Sequence, residues 1–459
     1  MFRKVLVANR GEIAVRVIRA CRELGLRSVA VFSTADRDAL HVALADERIC
    51  IGPPPVEHSY LKIAALVSAA LARGCDAVHP GYGFLAENGD FAEACERSGL
   101  VFVGPRVRTI KLMGDKARAR RFVRRAGVPV LPGTPTSLHS ADEALRAARE
   151  IGYPVLVKAT GGGGGRGLRV ARDPGELERA MRQARAEGEA AFGQGRIYVE
   201  KFLPRARHVE VQVLADRMRN VIHLGERECS LQRRYQKVVE ESPSPAVDRR
   251  LRARLGAAAV RVASAIGYTN VGTVEFLLDP NGSHWFIEMN TRVQVEHPVT
   301  EMVTGVDVVK EGLRAAAGRM LELRQRHVSW QGHAIECRVN AEDPWTMRPA
   351  PGTIRALRLP GGPGIRVDSG VAAGSTVPRE YDPLLFKIVA HGGDRTESLA
   401  RMRSALAETR VEGLTTNLAM HRALLDDPDV VAGALDTGFL EGWLARTATP
   451  AIASSARAS

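Results

Sequence analysis

The sequence predicts an α/β (α+β) chain. A parallel βαβ region comes first, then a small strand-and-helix region, a larger sheet, and a strand-rich portion closed by helices. Three observations predict this. Over the first hundred residues short apolar runs alternate with segments of helical periodicity, the pattern of a parallel sheet with crossover helices. Five consecutive glycines, Gly161 to Gly165, stand between two apolar runs. An alternating polar stretch, Glu288 to His297, follows the apolar Trp285-Phe286-Ile287.

The elements follow in order. Val5 to Ala8 reads as a first strand, feeding a helix whose apolar face is Ile13, Val17, Cys21 and Leu24, stopped by Gly25. Ser28 to Phe32, Ala77 to His79 and Val101 to Val103 repeat the strand pattern. A linking helical region over 105–128 contains Lys116. From Val130 to Leu203 the chain reads as a small strand-and-helix lid, and 204–325 as the main sheet. Beyond Gly332, Ile354 to Arg358, Gly364 to Val367 and Leu385 to Ala390 read as strands, with helices after Arg395. The Ala/Ser/Thr-rich tail, 446–459, reads as disordered.

Tyr153 to Lys158 is an apolar strand ending in a lysine, and Leu168 to Ala171 is its return. Glycines between them allow positive φ and bring backbone N–H groups close to phosphate oxygens. A hairpin-tip phosphate flap fits this better than a flexible linker. No Gly-Lys-Ser/Thr opens a helix here, so it is not a Walker loop. In an extended chain Glu288, Asn290, Arg292, Gln294 and Glu296 would share one face. Such a wall suits a metal-bound nucleotide beside a planar oxyanion. The same alternation equally describes an amphipathic edge strand with a solvated face.

Composition narrows the class. At 459 residues, 45% hydrophobic and 25% charged, the chain can hold two to four ordinary globular domains. No apolar run is long enough to span a bilayer, and the start is too short in apolar residues for a signal peptide. Six cysteines without a C-x-x-C pair fit reduced, mostly buried thiols in a cytoplasmic protein. The net charge of +13 is scattered through helical segments without aromatic interleaving, which argues against nucleic-acid binding. Lysine is scarce, with nine in all: Lys4, Lys62, Lys111, Lys116, Lys158, Lys201, Lys237, Lys310 and Lys387.

A strand-borne lysine, a glycine flap and a downstream Glu…Glu-x-Asn pattern together resemble the ATP-grasp superfamily. Longer motifs narrow the resemblance: Val5 to Ala14, His79 to Asn88, Lys158-Ala-Thr with the glycine run, His208-Val-Glu-Val-Gln-Val, Glu228 to Arg234, Glu288 to His297 and Glu336 to Asp343. In this order, over residues 1 to 445, they are similar to biotin carboxylases. The resemblance implies a Rossmann-like N-terminal domain over 1–113, an ATP-grasp domain over 114–330 with its lid at 130–203, and a C-terminal biotin carboxylase domain over 331–445.

It also implies roles for particular residues. Lys116 and Lys158 would hold nucleotide phosphates under the amides of Gly163, Gly164 and Gly165. Glu200, Lys201 and Leu203 would frame adenine and ribose, with His208, Gln232 and Tyr235 nearby. Glu275, Glu288 and Asn290 would bind Mg²⁺ or Mn²⁺. Lys237, Arg292, Gln294 and the backbone of Val295 would seat bicarbonate, with Glu296 as general base. Arg338 would stabilise the enolate-like oxygen of biotin, and Tyr82 would lie beside its ring. Cys229 reads as packing. Tyr235 departs from the family, whose motif commonly has histidine at that position.

The cofactors implied are ATP, a divalent cation and biotin carried by a partner. The partners are a biotin carboxyl carrier protein and the carboxyltransferase subunits of an acetyl-CoA or other acyl-CoA carboxylase. The biotin-bearing Met-Lys motif is absent, so a free-standing subunit is expected. A homodimer is implied by Arg16, Arg19, Glu23, Arg366 and Asp382, with Pro363 where an aromatic is often found. Rival readings are another ATP-grasp ligase joining a carboxylate to an amine, or a catalytically silent scaffold or regulatory paralogue.

Overall fold

In the computed structural model, residues 2–134, 136–138, 140–159, 168–192 and 197–455 are described. The N-terminal region runs β1 (Lys4–Val7), α1 (Gly11–Glu23), β2 (Arg27–Ser33), α2 (Leu40–Leu44), β3 (Glu47–Gly52), α3 (Ile63–Ala72), β4 (Ala77–His79), α4 (Gly89–Arg97) and β5 (Val101–Phe102). Its five strands form a parallel sheet in the order β3-β2-β1-β4-β5. Both faces are covered, which is why the strands read as near-continuous apolar runs. Ile13, Val17 and Cys21 of α1 pack on one face, while Leu66, Phe91 and Ile110 lie in the core on the other. Gly25, at φ +68°, turns the chain out of α1 into β2.

Two helices follow, α5 (Val107–Gly114) and α6 (Lys116–Arg125). Asp115 caps α6, its side chain accepting from the Arg118 N–H at 3.0 Å, which fixes Lys116 at the first helical position. The lid consists of α7 (Ala141–Ile151), β6 (Val155–Ala159), β7 (Leu168–Ala171), α8 (Pro174–Phe192) and β8 (Ile197–Lys201), with its sheet in the order β7-β6-β8. The glycine run, with Gly163, Gly164 and Gly165, lies outside the described residues.

The catalytic region comprises β9 (Arg207–Ala215), β10 (Val221–Arg233), β11 (Gln236–Ser242), α9 (Arg249–Ala265), β12 (Asn270–Leu278), β13 (His284–Asn290), α10 (His297–Thr304) and α11 (Val308–Ala316). It is followed by β14 (His333–Asn340), β15 (Gly352–Thr353), β16 (Ala356–Arg358), β17 (Ile365–Ser369), β18 (Thr376–Val377), β19 (Leu384–Gly392), α12 (Arg395–Glu408), β20 (Arg410–Glu412), α13 (Leu418–Leu425), α14 (Pro428–Ala432) and α15 (Phe439–Ser455). One eight-stranded sheet runs through both, ordered β13-β12-β9-β10-β11-β14-β19-β17. The main catalytic sheet therefore does not stop near residue 325. The strand-rich C-terminal portion adds three strands to it through the β11–β14 pairing. Of Ile354 to Arg358, read as one strand, only Ala356–Arg358 is extended, as β16 paired with β20, while Ile354 and Arg355 lie between β15 and β16.

The tail expectation is also corrected. Helix α15 continues to Ser455, and 456–459 lie outside the described residues. Leu440, Trp443 and Leu444 anchor its first turns in the C-terminal core, and an alanine-rich continuation extends a helix once nucleated. Five cysteines are buried, Cys50 is exposed, and all six are free thiols. Among the described residues, no helix is long and apolar enough to cross a membrane.

Candidate active site

The site is built on β9, whose alternation sorts its side chains. Val209, Val211 and Val213 enter the core shared with Leu251, Leu255 and Val262 of α9. His208, Glu210 and Gln212 consequently face the other way. Register then lines up a row across four strands: Glu288 on β13, Glu275 on β12, Glu210 on β9 and Arg227 on β10. Placing three carboxylates side by side would be costly without cations between them. Lys237 supplies one, its ammonium contacting Glu210, Glu275 at 3.0 Å and Glu296 at 2.6 Å. Burial opposes charge on Lys237, but those three carboxylates hold its pKa well above the ordinary lysine value.

Glu275 is the hub. It receives His208 at 3.0 Å, Asn290 Nδ2 at 2.8 Å and Gln294 Nε2 at 2.8 Å. Burial raises its pKa, yet Lys237 and His208 hold it well below the usual carboxylate range. Glu288, directly opposite Glu275, is met by Lys116 at 3.3 Å. These are the hard oxygen donors a divalent cation needs. The predicted metal trio therefore fits Mg²⁺ or Mn²⁺ chemically. The tightest convergences of metal-type donors among the described residues are His208–Glu210–Glu275 and Glu210–Cys229–Glu296. Burial pushes the Cys229 thiol well up, which agrees with packing.

The wall expected from Glu288 to Glu296 is not one strand. β13 ends at Asn290, and residues 291–296 form a loop entering α10, with Pro298 in its first turn. Proline at that place favours a helix start, so extended alternation cannot persist. The loop is pinned along its length. Glu87 accepts the Thr291 N–H at 3.1 Å, Val293 enters the core, and Lys387 donates to the Val295 carbonyl at 2.6 Å. The five side chains still converge, through pinning rather than pleat. Arg292 donates to Asn290 Oδ1 at 2.9 Å and lies 3.1 Å from Glu87 without hydrogen-bond alignment.

Glu296 is 2% exposed, and bridges Lys237 at 2.6 Å and Arg338 at 2.9 Å. Burial alone would raise it, but Lys237, Arg338 and Arg227 hold its carboxyl well below the usual range. Arg338, on β14, also donates to Glu240 at 2.7 Å. The Tyr82 hydroxyl donates to Glu12 at 2.5 Å, and Glu12 meets Lys387 at 3.1 Å.

At the lid, Lys158 contacts Glu200, which also takes Arg120 at 2.7 Å. The Lys201 ammonium is engaged within the lid, donating to the carbonyls of Gly152 and Tyr153 at 2.9 Å each. Leu203 is half-buried beyond β8. Gln232 is buried opposite Lys237. Tyr235 occupies the exposed tip of the β10–β11 hairpin, where Arg234 and Tyr235 both have positive φ.

Sequence reasoning passed over Glu87, Arg227, Glu240, Glu336 and Lys387 as site residues. Scarcity of lysine was the signal for Lys387, which is fully buried. For Arg227, Glu240 and Glu336 the signal is register, which one strand does not carry, while Glu87 sits in the turn before α4, brought in by a tertiary contact.

Three family models match in order: the biotin carboxylase N-terminal domain over 1–110, the carbamoyl-phosphate synthase L chain ATP-binding domain over 115–324, and the biotin carboxylase C-terminal domain over 336–442. The biotin carboxylase of Pseudomonas aeruginosa is 55% identical, over 96% of this chain and 98% of that one. The structure is similar, with TM-score 0.95 and 48% identity, to the biotin carboxylase domain dimer of Hydrogenobacter thermophilus 2-oxoglutarate carboxylase, solved with MgADP, ADP and bicarbonate; 96% of this chain and 98% of that one are covered. A Campylobacter jejuni biotin carboxylase complexed with β-γ-ATP matches at TM-score 0.94 and 44% identity, over 96% and 99%. The chain belongs to the biotin carboxylase family.

Proposed function

We propose that this chain uses ATP and bicarbonate to carboxylate biotin on a carrier protein, through carboxyphosphate. The observation that carries the reading is Glu296 held between Lys237 and Arg338, with Arg292, Gln294 and Val295 on the same loop, beside the Glu275–Glu288 pair. Lys116 and Lys158 hold the nucleotide phosphates. Glu275, Glu288 and Asn290 would hold Mg²⁺ or Mn²⁺, which when bound would offset phosphate charge. Arg292, Lys237, Gln294 and the Val295 peptide seat bicarbonate.

Glu296 takes the bicarbonate proton, and a bicarbonate oxygen attacks the γ-phosphorus as ADP leaves. Carboxyphosphate breaks at its C–O bond to CO₂ and phosphate. Phosphate removes the ureido proton of biotin, and the nitrogen attacks CO₂. Arg338 stabilises the ureido oxygen while it carries charge. A base held far below neutrality is a weak one. Bicarbonate draws Lys237 away from Glu296, so the substrate raises the basicity of Glu296 as it binds.

The carrier and a carboxyltransferase complete an acyl-CoA carboxylase in this reading, and the chain works as a homodimer in the cytoplasm. A charged surface hollow lined by Arg16, Arg19, Glu23, Asp307 and Arg366 supports the dimer face. Against a silent paralogue stands the set of buried charged groups, with the departure at Tyr235 on an exposed hairpin tip. Bicarbonate-dependent ATP hydrolysis, measured with and without free biotin, tests the proposal. Stimulation by biotin that vanishes in Arg338→Ala is expected; hydrolysis indifferent to bicarbonate contradicts it.

A further inference from the structure

Beside Arg338 the sheet holds two carboxyls that the mechanism above does not use. Glu240 on β11 and Glu336 on β14 are register partners in an antiparallel pairing, and both are fully buried. Opposed side chains in such a pairing stand on one face with Cβ atoms about 5 Å apart. Glu240 Oε1 accepts from Arg338 Nε at 2.7 Å. Its Oε2 and both oxygens of Glu336 have no hydrogen-bond partner among the described residues.

The surrounding charges decide how this pair is occupied. Arg338 lies two residues beyond Glu336, hence on the same face of β14, and its register partner on β19 is Lys387. Lys387 directs its ammonium to the Val295 carbonyl and Glu12 instead of Glu336. Lys237 of β11 and Glu296 of the loop before α10 complete the charged groups acting on the pair. Arg338 is shared with Glu296, and the ammoniums of Lys387 and Lys237 pull on the pair while contacting other groups directly, so both adjacent buried carboxylates are not kept ionised.

We propose that Glu240 and Glu336 share a single proton, resting on Glu336, and that ionised Glu240 is a positioning residue holding the Arg338 guanidinium toward the biotin oxygen. The positioning role rests on the carboxylase reading; the shared proton does not. Burial raises Glu240 to about 7 against the pull of Arg338, and burial with the neighbouring Glu240 charge pushes Glu336 well up. Once Glu240 takes a proton, Arg338 is left to Glu296 and is drawn toward the base. Biotin-dependent turnover then acquires an acid limb set by the pair.

The test uses the full chain, with Glu336→Gln and Glu240→Gln beside the parent. Glu336→Gln imitates the protonated carboxyl, so the acid limb should stay close to the parent's, whereas Glu240→Gln should abolish the limb. Difference infrared spectra at neutral pH, read without turnover, should show a protonated-carboxyl C=O band in the parent that is missing from Glu336→Gln. Glu240→Gln should lower kcat with biotin by about tenfold to a hundredfold, the scale for groups that orient a reacting residue, with the KM for ATP little changed. A purely structural role would move neither the acid limb nor kcat selectively. A limb that persists in Glu240→Gln, a parent without the band, or Glu240→Gln at full kcat overturns the proposal. Should Glu336→Gln fail to fold, the parent's band and the Glu240→Gln kinetics still decide it. No biotin-stimulated turnover in the parent would instead contradict the carboxylase reading, while the band still reports on the proton.

Discussion

At the scale of single residues, Glu296 shows how a base is kept ready. It is fully enclosed, yet two cations within hydrogen-bond reach keep it ionised. Glu296→Gln keeps the shape and removes the proton acceptor, so bicarbonate-dependent ATP hydrolysis should fall by about 10² to 10⁴-fold. ATP binding, followed by calorimetry, should persist, because the lysines at the phosphates are untouched. Tyr235 makes the opposite case. At 41% exposed on a hairpin tip, it can affect nucleotide binding but not the charged site. Tyr235→His should change ATP affinity by no more than about tenfold, or ~1.4 kcal/mol. Affinities indistinguishable from the parent would remove Tyr235 from the nucleotide site.

At the scale of elements, capping and pinning place the functional groups. Asp115 caps α6, whose first residue is Lys116. Asp115→Ala should cost about 1 kcal/mol of stability, seen in urea unfolding, and should raise the KM for ATP as the helix start loosens. The element scale also explains what was legible in the sequence. The βαβ strands were readable because burial on both faces makes them apolar runs, and Gly25 marks where α1 stops. The lid hairpin was readable from apolar strands flanking glycines. The path of Arg292 to Glu296 was not, because an alternating pattern describes a strand and a pinned loop equally. Tertiary partners that sequence spacing does not reveal, Glu87 and Lys387, decide between them. Glu240 and Glu336 are nearly a hundred residues apart and meet only through the β11–β14 register. The tail, read as disordered from composition, continues a helix anchored by Trp443.

At the scale of the whole molecule, a continuous eight-stranded sheet joins the ATP-grasp and C-terminal portions, so the site spans both. Stability should accordingly respond to protons at several buried points. Burial lowers His41 to about 4, His79 to about 3 and His421 to about 4, against an ordinary value of 6.5. Between those values the unfolded chain binds more protons than the folded one, so stability present above 6.5 is lost as pH falls toward 4. Each such histidine contributes on the order of 3 kcal/mol across that window. Urea midpoints should drop over it, and His421→Gln should flatten the slope; midpoints independent of pH would contradict this.

The central claim is that bicarbonate itself attacks the γ-phosphorus, and isotope transfer tests it most directly. With heavy-oxygen-labelled bicarbonate and unlabelled ATP and water, the C–O cleavage of carboxyphosphate leaves a bicarbonate oxygen on phosphorus. Mass spectrometry of the inorganic phosphate released during biotin-dependent turnover should therefore find one labelled oxygen per molecule. Phosphate without label, released at the same rate, would mean that water attacks ATP and that the site does not activate bicarbonate.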